Sequence, residues 1–519
     1  MKGREIRLAK TKTAFVAKNL LIGGGTQVIF LILSFINRTV FIYFLGKEYL
    51  GLDALFSNIL MVLSFAELGI GNAIIFSLYK SMVDKNEARI KAIMTLYAKA
   101  YRIIGITVFI AGLVIMPFLE LFIKNPPNIP ENIYIIYFLF LLNTAISYLF
   151  SYKKAIFSAD QKEYIINVSQ QIFFFVQSIA QLAYLYITSD YIGFVAVQIT
   201  STLGFNAFLA MYANKKYPFL KGKTTEKLPK AEVKMIFQNV KALAMYKFGS
   251  IIMNGTDSII IAAILGLSVV GTYSNYLLII AAVVTVLSRG LNSITGSIGH
   301  LNSANDDAKK EHVFKQLFFI VAWIYFLFSI ILFNVINPFI TLWIGESFVL
   351  GTGTVIAIVA SFYVNGMQFP GYTYRTTMGL FRQGRYVPIV MAVLNIILSI
   401  VFATHFGLTG VIVATIISRL VTTTIIDPYL VYRFGFKKKV GSYFKMYLGY
   451  ATITTLAFVL SIPTMNWIYQ GTWLTLIFGA GTLFILLNIT YLAIFYRKAE
   501  CQAIIQRMKY LVQHRERLS

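Results

Sequence analysis

Leu45-Gly46-Lys47-Glu48-Tyr49-Leu50-Gly51 is echoed by Leu265-Gly266-Leu267-Ser268-Val269-Val270-Gly271, an offset of 220 residues. The echo extends outward. Pro117-Phe118 returns as Pro338-Phe339, and Tyr152-Lys153 as Tyr374-Arg375. Gln161 and Tyr164 return as Gln383 and Tyr386, and Gly193 and Leu203 as Gly410 and Leu420. The offset drifts by a few residues, as small loop insertions after a duplication would leave it. Carried across the repeat, Arg38 falls beside Asp257 and Glu67 falls on Arg289. Two equivalent lobes with a charged seam form the architecture of a transporter.

Composition sets the solvent. The 519 residues are 58% apolar, and the mean hydropathy is +0.71. Apolar runs of 18 or more residues recur along the whole chain, which makes it an all-α polytopic membrane protein. Fourteen spans are expected. The net charge of +25 would suit nucleic acid, but its placement argues against that. Basic residues gather at the termini and around the even-numbered loops. The odd-numbered loops hold only Lys47 and Lys124. This is the positive-inside pattern, and it puts both termini in the cytoplasm. Cys501 stands alone, and His300, His312, His405 and His514 show no ligand spacing, so neither a disulfide framework nor a metal site is expected. No Walker A pattern and no hydrolase elbow in its strand-turn-helix setting are present, so no enzymatic activity is expected.

Residues 1–213 hold spans 1–6 and form an N-terminal lobe. Residues 243–432 hold spans 7–12 and form a second lobe of the same orientation, giving two pseudo-symmetric six-helix lobes. Between them, 214–242 is lysine-rich. Val233, Ile236, Phe237 and Val240 recur there at helical spacing after Pro229, which predicts an amphipathic cytoplasmic helix on the bilayer surface. Spans 13 and 14 (433–497) are appended, and 498–519 is a basic amphipathic tail. Helix breakers mark expected bends or gates: Gly24, Gly69, Gly71, Gly255, Pro370 and Gly371.

Charges in mid-span cost about 2.5–3.5 kcal/mol each, so they call for a reason. Arg38 and Asp257 are expected about 12 Å below the outer glycines by helical rise. Glu67 and Arg289 should lie deeper, and Arg419 sits in span 12. Arg38, Arg289 and Arg419 are candidate binders of a phosphate in a cationic central cavity, because guanidinium offers forked, charge-assisted hydrogen bonds. Glu67 and Asp257 are candidate carboxylates for a coupling Na+ or H+; no other cofactor is expected. The alternative for these charges is structural pairing within each lobe, Arg38 with Glu67 and Asp257 with Arg289. Lys153 and Arg375, repeat mates at inner span ends, are candidates for recruiting a lipid phosphate at the inner rim, or plain positive-inside anchors.

The order Leu45-Gly46-Lys47-Glu48-Tyr49-Leu50-Gly51-Leu52, Phe56-Ser57-Asn58, Glu67-Leu68-Gly69-Ile70-Gly71 and Leu78-Tyr79-Lys80 resembles bacterial polysaccharide repeat-unit flippases. These belong to the multidrug/oligosaccharidyl-lipid/polysaccharide (MOP) exporter superfamily. The resemblance implies a V-shaped, MATE-like pair of lobes alternating between inward- and outward-open states in the bacterial cytoplasmic membrane. It implies an undecaprenyl-pyrophosphate-linked oligosaccharide as substrate, moved to the outer leaflet for capsule, exopolysaccharide or O-antigen synthesis, with a polysaccharide polymerase as a partner. Arg38 and Arg289 match, by span, arginines that line the cavity of relatives; the second span here carries Glu67 instead. A lipid II flippase of peptidoglycan synthesis and a drug or cation antiporter are the alternatives.

Overall fold

The repeated glycine of the Leu-Gly motif takes a backbone conformation that side chains disfavour in both copies. Gly46 has φ +82° and Gly266 φ +102°. Gly266 N–H closes the end of its helix on the Ile261 carbonyl at 3.0 Å. Each glycine is therefore a left-handed stop between one span and the next, and the motif recurs because the turn does. Gly407, with φ +59°, serves the same end between spans 11 and 12.

The computed structural model describes the backbone of residues 2–67, 70–222, 228–302 and 306–506, and their side chains except in 2–28, 66, 72, 239 and 241–254. The elements run α1 (Lys2–Leu63), α2 (Ile70–Val83), α3 (Glu87–Ile115), α4 (Ile133–Ser151), α5 (Lys154–Ala159), α6 (Glu163–Thr188), α7 (Tyr191–Lys216) and α8 (Lys230–Ile264). They continue through α9 (Leu267–Asn302), α10 (Asp307–Ile344), α11 (Thr352–Met367), α12 (Phe369–Thr377), α13 (Val387–Val421), α14 (Thr423–Leu430), α15 (Gly441–Ile468) and α16 (Trp473–Phe495). The protein is an all-α polytopic membrane protein. Among the described residues, ten helices are long and apolar enough to cross a membrane. That number and the fourteen expected spans agree once the turns are counted. Spans 1 and 2 run together through Gly46, and spans 11 and 12 through Gly407. Span 7 is the shorter apolar stretch Gly255–Ile264. Span 10 is cut in two at Gln368.

The chain packs as two units, Met1–Lys247 and Phe248–Ser519. In the first, α3 packs on α4, α4 on α7, and α1 on α6. In the second, the repeat mates do the same: α10 packs on α11 and α11 on α13. The linker helix is not a separate element, because it runs straight on into span 7 as α8. Nor is its apolar face all left to the bilayer. Ile236 is buried in the core of the first unit with Leu78, Ile90 and Ile93, and Val240 packs against the same cluster. An ion pair between Arg89 and Glu232 at 2.8 Å holds α8 to the start of α3.

The appended helices α15 and α16 pack on α10 and on each other. Their joint is aromatic. The Phe319 ring meets Tyr450, Tyr491 and Phe495, and Trp323 stacks on Tyr491 with centroids 5.6 Å apart. Asn334 adds a polar tie, donating to Ser461 Oγ at 2.8 Å. In lipid, such docking rests on close packing and interhelical hydrogen bonds rather than on escape from water. Phe319→Ala should therefore cost on the order of 2 kcal/mol in lost packing. The check is the melting temperature of the purified protein, expected to fall by several degrees.

Candidate functional site

In the first unit, the charges gather at two places. Arg38 on α1 has Asp53, on the far side of the Gly46 turn, as its electrostatic partner. Its neighbour Asn37 donates to Ser178 on α6 at 2.8 Å. Glu67 lies elsewhere, at the end of a 3-10 turn, Ser64–Glu67, that interrupts span 2 before α2 begins. Tyr101 on α3 donates a hydrogen bond to it, and Lys154 at the start of α5 is its cationic neighbour. Gly71 belongs to this arrangement. A Cβ there would stand 3.2 Å from the Tyr97 hydroxyl and 3.7 Å from that of Tyr101, so the glycine lets α2 approach the tyrosines that hold Glu67. Gly69 lies outside the described residues. Gly24 and Gly255 lie within the continuous helices α1 and α8, with no break at either.

In the second unit, two of the residues singled out in the sequence come together. Asp257 on α8 and Arg419 on α13 are electrostatic partners. A short relay orients the carboxylate: Asn395 donates to Thr415 at 2.9 Å, and Thr415 donates to Asp257 Oδ2 at 3.0 Å. Asp257 Oδ1 and Asn395 Oδ1 are buried and have no hydrogen-bond partner among the described residues. Arg419 also reaches the break in span 10, donating to Asn365 at 2.6 Å and to Gln368 at 3.3 Å. Gln368 separates α11 from α12, and Pro370 opens α12. Gly371 lies against Pro428, where a Cβ would sit 3.3 Å from the ring. The helix is interrupted at Gln368, two residues ahead of Pro370, and the Arg419 guanidinium grips Asn365 before the break and Gln368 at it. Arg419 is thus committed to the break and to Asp257.

The two structural pairings weighed from the sequence, Arg38 with Glu67 and Asp257 with Arg289, are not the ones the described contacts give. Glu67 is held by Tyr101, and Asp257 by Thr415. Arg289 is exposed, and at i+4, i+7 and i+11 from it Ser293, Gly296 and His300 follow on the same face of α9, all exposed. This face fills the C-terminal third of α9, and whatever part of it lies at membrane depth must meet water or protein, not lipid.

The mates Lys153 and Arg375 have parted company. Lys153 is half-buried, which holds its pKa below the usual lysine value, and it donates to Asn214. Arg375 is not an exposed cation. It is buried and paired with Asp427 at 2.6 Å, with both side chains 3% exposed. Sequence reading passed over that partner and also Asp53, although both are acids inside apolar segments and so were marked by their cost alone. Tyr101, Asn395 and Thr415 carried no such mark, since a neutral residue in a span is ordinary.

No family model matches the chain, and no curated protein matches it in sequence. Solved structures do match in shape. A lipid II flippase, MurJ, in an inward closed conformation superposes with a TM-score of 0.63 at 14% identity, over 92% of this chain and 100% of that one. A multidrug resistance MATE family transporter in an inward-facing conformation gives 0.61 at 14% identity, over 78% and 94%. The MATE multidrug transporter DinF-BH gives 0.52 at 16% identity, over 79% and 93%. The chain shares the fold of these proteins. At these identities the likeness concerns architecture, and the residues above stand on their own geometry.

Because the Arg375–Asp427 pair is buried, breaking it should cost far more than replacing it. Arg375→Met alone would leave an uncompensated carboxylate and cost about 3–5 kcal/mol. The double variant Arg375→Met/Asp427→Leu should recover most of that. Thermal melting and membrane yield of the two variants decide the matter; equal loss in both would mean the pair's shape, not its charge balance, is what counts.

Proposed function

We propose that this protein is a flippase for an anionic lipid carrier, moving undecaprenyl-pyrophosphate-linked oligosaccharide repeat units from the inner to the outer leaflet by alternating access. The observation that carries this reading is the exposed face of α9 that starts at Arg289 and fills the C-terminal third of a helix long and apolar enough to cross a membrane. A cation there has a use if a phosphate passes it. Arg38, which has Asp53 as its electrostatic partner, is the cation of the first unit that would meet the pyrophosphate. The superposition on MurJ, a lipid II flippase by name, spans more of this chain than the two lobes could supply, so it takes in appended helices as well. That supports a lipid-linked substrate and keeps lipid II as the second reading. The drug-antiporter reading draws on the MATE likenesses.

The oxygen atoms around Asp257 suit a coupling ion. Asp257 Oδ1, Asn395 Oδ1 and the Thr415 hydroxyl are hard oxygen donors, and the first two have hydrogen-bonding capacity to spare among the described residues. They would hold Na+, or Asp257 would take a proton. Either event changes the charge that Arg419 faces. Arg419 grips Asn365 and Gln368, so a change at Asp257 would be felt at the break in span 10. This gives loading of an ion a physical route to helix movement.

Two outcomes are expected. Cells carrying Arg289→Ala should accumulate undecaprenyl-linked oligosaccharide at the inner leaflet at normal protein level, with partial rescue in Arg289→Lys; full export in both would overturn the reading. Lipid II in place of the oligosaccharide would move the assignment to the second reading. Asp257→Asn should lower transport at least ten-fold and remove its dependence on a Na+ or proton gradient. Gradient-dependent export in that variant would mean that the ion acts elsewhere.

A further inference from the structure

The first unit carries a cationic groove that the transport reading does not use. A cavity of about 220 Å³ opens between α3, the end of α4 and the segment after α7. Its lining includes Lys91, Lys99, Arg102, Tyr152 and Lys153, and no carboxylate. Lys91 Nζ is anchored on the Lys221 carbonyl at 2.6 Å, and Lys153 on Asn214. The cations are thus gathered from α3 and the end of α4 onto one spot. Gathering them costs repulsion unless an anion comes between them.

The same side of α3 changes character above the groove. Following Arg102 at i+4, i+8 and i+11, Ile106, Ile110 and Leu113 form an exposed apolar stripe. The duplication shows what such a face can otherwise hold. At the offset set by Pro117 and Pro338, Arg102 is the mate of Trp323 and Leu113 the mate of Asn334. Those two residues of α10 are where α16 and α15 dock. Ile106 is 60% exposed, whereas its mate Leu327 is 7% exposed. So α10 is covered by the appended pair, and the matching face of α3 is not. On this face an aromatic docking residue has become an arginine, and the helix presents a basic head continuous with an apolar track.

We propose that this groove binds an anionic phospholipid of the leaflet facing the lysine-rich helix ends, its phosphate among Lys91, Lys99, Arg102 and Lys153 and its acyl chains along Ile106, Ile110 and Leu113. The cavity is smaller than the roughly 300–1,000 Å³ of sites that enclose whole ligands. It therefore takes a head group and leaves the chains in the bilayer. Arg102 supplies forked donors to phosphate, and the lysines add charge at its sides. The bound lipid would be a resident of the first unit and not cargo, so the site stands whether or not the transport reading does.

The test is lipid retention by the full chain purified in mild detergent, read by native mass spectrometry after exchange into mixed phosphatidylglycerol and phosphatidylcholine. The wild type should retain phosphatidylglycerol preferentially. Lys99→Gln/Arg102→Gln/Lys153→Gln should lose that preference, with affinity falling at least ten-fold. Arg382→Gln/Arg385→Gln, which removes two exposed cations of the second unit, should keep it. The single variant Arg102→Gln, at an exposed position, should weaken retention without altering the melting temperature in phosphatidylcholine. Unchanged preference in the triple and single variants would overturn the proposal. So would displacement by soluble glycerol phosphate as effectively as by the lipid, which would mark a free-phosphate site. A lipid-free dimer formed through this face would also overturn it and assign the face to a second copy of the chain.

Discussion

A polypeptide in hydrocarbon has no water to satisfy a broken backbone or an unpaired charge, and the arrangement of this chain follows from that. Helices run unbroken wherever they can. Where one must stop between spans, a left-handed glycine closes it, as at Gly46 and Gly266. Where one is interrupted inside a span, a polar side chain stands at the gap. The turn before α2 ends at Glu67, held by Tyr101. The gap between α11 and α12 is flanked by Asn365 and Gln368, both held by Arg419. Breaks and charges coincide because each makes the other tolerable.

The same constraint sorts the arginines. Arg375 and Arg419 are committed to partners inside the second unit, one to Asp427 and the other to the break and Asp257. Such a pair gains little net stability over a well-packed apolar one, because both charges lose their water. What a buried pair supplies is a fixed geometry. That suits Arg375, whose neighbourhood is a packed aromatic layer built on Phe314, Tyr374, Tyr432 and Phe436. Arg289 differs from both in being exposed. A shared residue type along the spans therefore hides different duties.

Duplication gave the two units one packing plan, and the appended helices made them unequal. On α10, Trp323 and Asn334 receive α16 and α15; on α3, the mates Arg102 and Leu113 face outward. Two equivalent faces thus present different chemistry to the bilayer.

Much of the fold was legible in the sequence. Hydropathy located the spans, since apolar length is written directly into the chain. The pairing of charges was not legible. Depth along a helix, which sequence spacing gives, says nothing about which neighbouring helix a side chain meets. So Arg38 finds Asp53 rather than Glu67, Asp257 finds Thr415 and Arg419 rather than Arg289, and the mates Lys153 and Arg375 lie in different surroundings. Local pattern determined where the helices begin, end and break. Only tertiary packing decided which helix faces which, because that choice depends on side-chain contacts between segments far apart in the chain.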